Sequence, residues 1–154
     1  PGRRGTIHVG NSISFHGYSS GGSKNFAHGL MSTGDVGHWD STGLLFVDGR
    51  DDDMIVSGGE NVFPGEIEAT LYAHPDIEEA AVTGVPDEEF GQRLSAVIVR
   101  SNPTLTAETV RTYIRTELAR FKAPRDVVFV DHLPRTTTGK IDRRVMTALT
   151  AGVE

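Results

Sequence analysis

The chain has 154 residues, 37% of them hydrophobic and 23% charged, with a formal net charge of −6 and no cysteine. That length holds one ordinary domain, or one domain with part of another, in a soluble globular protein. The acidic balance argues against general nucleic-acid or anionic-membrane binding, and the lack of cysteine excludes disulfides, a catalytic thiol and thiolate metal sites while fitting a reducing compartment.

No transmembrane span or signal peptide is legible, and a chain that opens on Pro1 reads as a piece of a longer protein. Residues 1–48 predict short strands at Thr6–Gly10 and Leu44–Asp48, with loop chemistry at Ser19–Ser23 and many scattered glycines. They hold too few apolar positions for a core of their own, so partial disorder or strand pairing with a second copy is expected. Trp39 and Phe46 read as packing residues, and Asp35 as part of a loop.

From Gly49 the pattern tightens. Gly49–Asp53 is too charged for a buried strand and predicts an exposed turn; Met54–Ser57 is a short apolar strand broken by Gly58-Gly59. Pro64 opens a helix running to Ala73, with Glu66 in its first turn, Ile67 and Leu71 one turn apart, and His74-Pro75 as the stop. Glu78–Val85 and Leu94–Arg100 are β-like, with Val82, Val85, Val97 and Val99 as core. Thr106 caps a helix whose apolar face is Val110, Tyr113, Ile114 and Leu118, ending near Phe121. Val127–Val130 predicts a third central strand and Arg143–Leu149 a last helix. Residues 49–154 therefore predict a small α+β domain, a short central β-sheet flanked by helices, preceded by the β-rich segment 1–48.

Several residues could carry chemistry. Lys140 follows Gly139 on a polar loop, which would deliver an ammonium into a cleft; alone it would be a solvated surface lysine. Asp35 could accept the two hydroxyls of a ribose, or merely form a turn. Arg50, taken alone, is an exposed salt bridge to its neighbouring aspartates. Gly58 and Gly59, followed by Glu60 and Asn61, suit close approach to a narrow ligand, as they suit an ordinary hairpin. Arg115, Arg120, Lys122 and Arg125 form either a phosphate site or a solvated helix face. Asp51, Asp53, Glu78 and Glu79 read as surface charge. The six histidines show no ligand spacing, so no metal site is expected.

Three ordered motifs carry a resemblance: Ser32-Thr33-Gly34-Asp35, the string GRDDDMIVSGGENVFPGEIE from Gly49 to Glu68, and Pro134-Arg-Thr-Thr-Thr-Gly-Lys140-Ile141. They are similar to the motifs of the acyl-adenylate-forming enzymes, the superfamily of acyl-CoA synthetases, peptide-synthetase adenylation domains and firefly luciferase. The resemblance implies that residues 1–48 end the large N-terminal domain, in a β-barrel-like subdomain, and that 49–154 are the small C-terminal lid domain. It implies ATP and CoA as cofactors, with Mg2+ bound outside these residues. It gives Lys140 contact with the carboxylate and the α-phosphate, Asp35 and Arg50 the AMP moiety, and Asp52, or Asp51, the hinge. Gly58, Gly59, Glu60 and Asn61 would shape the pantetheine tunnel, and Arg115 would lie near the CoA phosphates.

Ser-Gly-Gly-Glu-Asn, Phe-Gly-Gln-Arg and Phe-Lys-Ala-Pro-Arg are most similar to bacterial fatty-acyl-CoA synthetases, which implies a fatty or other carboxylic acid as substrate and a cytoplasmic or membrane-peripheral location. The alternative is an adenylation domain that loads a carrier protein. A third reading is a non-catalytic module, which the isolated piece is expected to be. Where the family commonly has Pro-Lys-Thr, this chain has Pro134-Arg135-Thr136.

Overall fold

The computed structural model describes residues 2–10 and 25–151; the loop expected at Ser19–Ser23 lies outside them. The chain divides into two compact units, Pro1–Asp53 and Met54–Glu154.

In the first unit β3 (Leu30–Trp39) is antiparallel to β1 (Gly5–Val9), β2 (Phe26–Ala27) and β4 (Leu45–Arg50), and a 3-10 turn follows at Asp51–Asp53. The stretch around Asp35 is thus strand, not loop, and Gly49 and Arg50 end a strand instead of opening an exposed turn. Cross-strand pairing on both sides of β3 overrides the turn-like composition of Ser32 to Gly37. A sheet buries a face only against a second layer, and Val36 is this unit's one buried apolar side chain among the described residues. Within these residues Trp39 is 57% and Phe46 48% exposed, and Phe46 stacks on His38, which pairs with Asp48 at 3.0 Å.

The second unit begins with the hairpin of β5 (Ile55–Ser57) and β6 (Glu60–Val62). Helix α1 (Pro64–Tyr72) follows, with Pro64 in its first turn and Ile67 and Leu71 fully buried. Strands β7 (Ile77–Asp87) and β8 (Gly91–Arg100) form a long antiparallel pair. Helix α2 (Ala107–Glu117) is capped by Thr106, whose side chain accepts from the Thr109 N–H, and it stops short of Phe121 because Leu118 is extended; a 3-10 turn covers Arg120–Lys122. Strand β9 (Asp126–Phe129) pairs parallel to β8, giving the order β7-β8-β9. The predicted third central strand is therefore an edge strand, and β8 is the centre. Helix α3 (Arg143–Thr150) closes the unit, with Asp142 accepting from the Arg144 and Val145 N–H groups.

Alternation along β7 and β8 builds a core on each face of this sheet. Ala80, Val82, Ala96 and Ile98 pack with Ile55, Val62, Ile67, Leu71 and Ile114. Ala81, Val97 and Val99 pack with Leu133, Met146 and Ile141. Burying each large aliphatic side chain contributes about 1.5–3 kcal/mol, so both layers hold the sheet. At the free edge of β7, the Val82 N–H donates to Glu68 at 2.9 Å and the Val82 carbonyl accepts from Arg143 at 2.7 Å. Among the described residues no helix is long and apolar enough to cross a membrane.

Candidate functional site

Asp35 and Arg50 face each other across β3 and β4, with the guanidinium 3.6 Å from the carboxylate. Arg50 also donates to the Thr33 carbonyl at 3.2 Å and to both oxygens of Asp52, at 3.0 and 3.3 Å. It lies flat against Gly34, whose φ is +81° and where a Cβ would stand 3.1 Å from the guanidinium. A side chain there would displace Arg50. Asp52 accepting from Arg50 is held below the usual carboxylate range. Asp35, Arg50 and Asp52 are thus one cluster, and Arg50 does bridge to a neighbouring aspartate.

The turn between β5 and β6 consists of Gly58 (φ +58°) and Gly59 (φ +84°), the mirror-image hairpin turn that needs left-handed backbone at both central residues. Glu60 and Asn61 belong to β6, not to a loop. The hairpin is seated on the β7–β8 connection. The Gly58 N–H donates to the Phe90 carbonyl at 3.0 Å, the Val56 N–H to Gln92 at 3.2 Å, and a Cβ on Gly58 would stand 3.1 Å from the Phe90 ring.

Beside this turn lies a cavity of about 540 Å³ whose lining includes Gly58, Glu60, Phe90, Phe121 and the arginines 111, 115, 120 and 125. Glu108 accepts from Arg111 at 3.0 Å and from Arg115 at 3.3 Å, which holds its carboxyl below the usual range. Arg125 is 3.5 Å from Asp87; that carboxyl is held low first by the Phe90 N–H, which it accepts at 2.9 Å. Lys122 is not part of the cluster: it turns to α1 and binds both oxygens of Glu66. Arg111, unforeseen, does line the cavity, and its spacing of four residues from Arg115 on one helix was the available signal.

Lys140 is exposed at the end of a tight turn closed by Thr136 N–H to Lys140 carbonyl (2.8 Å) and Gly139 N–H to Thr136 carbonyl (2.9 Å), with Gly139 at φ +82°. Its neighbour Ile141 packs on the Ala81, Val97 and Val99 face, whereas Ile55 and Val62 of the Gly58 hairpin pack on the opposite one. The lysine turn and the glycine turn are on opposite sides of one sheet.

Residues 66–140 match the AMP-binding enzyme C-terminal domain. The chain belongs to the acyl-adenylate-forming superfamily. Among curated members it is 41% identical over 121 residues to the long-chain-fatty-acid–CoA ligase FadD13 of Mycobacterium tuberculosis, covering 79% of this chain and 24% of that protein. Among solved structures it is similar to o-succinylbenzoate CoA synthetase (MenE) of Bacillus subtilis in complex with its acyl-adenylate, at TM-score 0.84 and 35% identity over 95% of this chain and 31% of that one. ATP-bound MatB of Rhodopseudomonas palustris gives TM-score 0.80 and 37% identity over 96% of this chain and 30% of that one. The chain spans about a quarter of the length of the curated relatives it matches.

Within this member of the superfamily, the sequence-predicted residues fall into three groups. Asp35, Arg50 and Asp52 cluster in the first unit. Gly58, Glu60 and Arg115 line one cavity in the second, while Gly59 and Asn61 do not line it. Lys140 stands apart from that cavity, across the sheet.

Proposed function

We propose that this chain is the C-terminal portion of an ATP-dependent acyl-CoA synthetase whose acid is a fatty acid. The reaction joins a carboxylate to ATP, giving an acyl-adenylate and pyrophosphate; the CoA thiol then displaces AMP. The observation that carries this reading is the placement of the lysine turn and the glycine turn on opposite faces of one sheet. A lid built this way presents one face per half-reaction, with Asp52 as the hinge between them.

In the first pose Lys140 neutralises charge that builds on the reacting carboxylate and α-phosphate. Asp35 holds the ribose hydroxyls, and Arg50, already 3.6 Å from Asp35, adds a cation beside them. Magnesium would accompany ATP, held outside these residues. In the second pose the Gly58-Gly59 turn borders the path of the pantetheine arm. The donor set of the adjacent cavity fits CoA phosphates: several guanidinium groups converge there, and phosphate prefers such charge-assisted bonds. Arg115 and Arg111 share Glu108, and Arg125 lies 3.5 Å from Asp87, so three of the guanidinium groups at that wall are already partly neutralised. The acid enters through the large domain, and a fatty acyl substrate rests on the likeness of Ser-Gly-Gly-Glu-Asn, Phe-Gly-Gln-Arg and Phe-Lys-Ala-Pro-Arg to fatty-acyl-CoA synthetases.

The test is pyrophosphate release by the intact enzyme with a panel of carboxylic acids, with and without CoA. CoA-dependent turnover on fatty acids is expected and would supply the chain length. Adenylation that ignores CoA would assign the protein to carrier loading instead, and turnover confined to small or aromatic acids would overturn the fatty-acid assignment.

A further inference from the structure

Arg135 opens the turn that ends in Lys140, and its guanidinium serves two acceptors at once. Nη1 donates to the Gly139 carbonyl at 3.1 Å, and Nη2 is paired with Glu79 on β7. The backbone bonds of the turn engage Thr136 and the carbonyl of Lys140, so the carbonyl just before Lys140 is held by this side chain. That carbonyl belongs to Gly139, whose left-handed backbone at φ +82° sets the direction of the peptide leading into Lys140. Through Glu79 the hold is transferred to the sheet, where Ala80 and Ala81 next along β7 are core residues.

The geometry points to Arg135, anchored by Glu79, as the positioning residue for Lys140 in the adenylation step. This rests on the reading of Lys140 as the adenylation lysine. A planar fork with separate N–H groups satisfies a carbonyl and a carboxylate in one fixed arrangement, which a single ammonium on a flexible stem does not. The Arg135 and Glu79 side chains are 47% and 36% exposed, so their attraction adds little to folding and its effect is geometric.

The experiment measures both half-reactions of the intact enzyme: pyrophosphate exchange for adenylation, and thioester formation from pre-made acyl-adenylate and CoA. Arg135→Met is expected to lower kcat for adenylation about 10- to 100-fold, the range for a displaced catalytic group, with KM for ATP and the thioester rate unchanged. Glu79→Gln acts in the same direction to a smaller extent, and Arg135→Lys recovers part of the loss. In a Lys140→Ala background Arg135→Met lowers the residual rate no further, because it acts through that ammonium. Undiminished adenylation in Arg135→Met, an equal loss in both half-reactions, or an additive loss with Lys140→Ala would overturn the inference. If Lys140→Ala itself leaves adenylation intact, the underlying reading falls with it; if Lys140→Ala abolishes adenylation while Arg135→Met does not, only the role of Arg135 falls.

Discussion

Lys122 Nζ lies 2.6 Å from each carboxylate oxygen of Glu66, a residue 56 positions earlier in the chain. The pair ties the first turn of α1 to the 3-10 turn that carries Arg120, and it holds the lysine away from the arginine cavity. The lysine is the more covered partner, 13% exposed against 38%. Removing the carboxylate therefore leaves a nearly buried ammonium unmatched, whereas removing the lysine leaves a carboxylate still favoured at a helix N-terminus. Glu66→Gln is expected to lower unfolding stability by about 1–3 kcal/mol and Lys122→Met by less. Urea titration of the two variants decides it, and the reverse ranking would contradict the asymmetry.

The two glycines of the β5–β6 turn differ in what surrounds them. Both need left-handed backbone, which costs an L-residue about 1–2 kcal/mol. Only at Gly58 would a Cβ also meet the Phe90 ring, at 3.1 Å, while at Gly59 nothing lies within 4 Å. Gly58→Ala is expected to destabilise more than Gly59→Ala, and Gly59→Asn least of all, because asparagine tolerates this region. Equal shifts in the unfolding midpoint for both alanine variants would show that Phe90 yields without cost.

Substitutions on the two faces of the sheet should separate the half-reactions. Lys140→Ala in the intact enzyme is expected to lower adenylation at least about 100-fold, the scale on which one electrostatic donor matters, while largely sparing thioester formation. Gly59→Trp should do the reverse by obstructing the thiol path. Rates of pyrophosphate exchange and of acyl transfer from pre-made adenylate distinguish the two, and parallel losses in both variants would refute the two-pose assignment.

Acid should loosen the seat of the glycine hairpin. Asp87 accepts from the Glu89 and Phe90 N–H groups at 3.0 and 2.9 Å and is held below its ordinary value, with Arg125 and Arg93 adding to the effect. A carboxyl lowered on folding stabilises at pH values above its unfolded pKa of about 3.9, and loses that contribution as pH falls through the lower folded value. Wild type should therefore exceed Asp87→Asn in thermal stability from pH 7 down to about 4, with the gap closing below that. A gap that persists unchanged to pH 2 would remove charge from the account.

Much of the second unit was legible because its signals are local. Ile67 and Leu71 one turn apart, Pro64 at the helix start and Thr106 as a cap all act within a few residues, and each stands where expected. What escaped depended on distant partners. Ser32-Thr33-Gly34-Asp35 has turn composition, yet pairing with β1 and β4 makes it strand. Lys122 looked like one more cation beside Arg120 until Glu66 claimed it, and Phe90 and Gln92 gave no hint that they seat the Gly58 hairpin. Asp35 and Arg50 were singled out by motif alone, and no local rule foretold their cross-strand apposition.

Val82 has its N–H bound by Glu68 from α1 and its carbonyl bound by Arg143 from α3. Both groups would otherwise stand ready on an open strand edge, where a foreign strand can add and seed aggregation. By covering that edge with one side chain from each helical layer, the fold guards an outer strand that carries core residues on both faces. At Val82, midway along that border, a foreign strand would find both backbone groups already taken by the domain's own side chains.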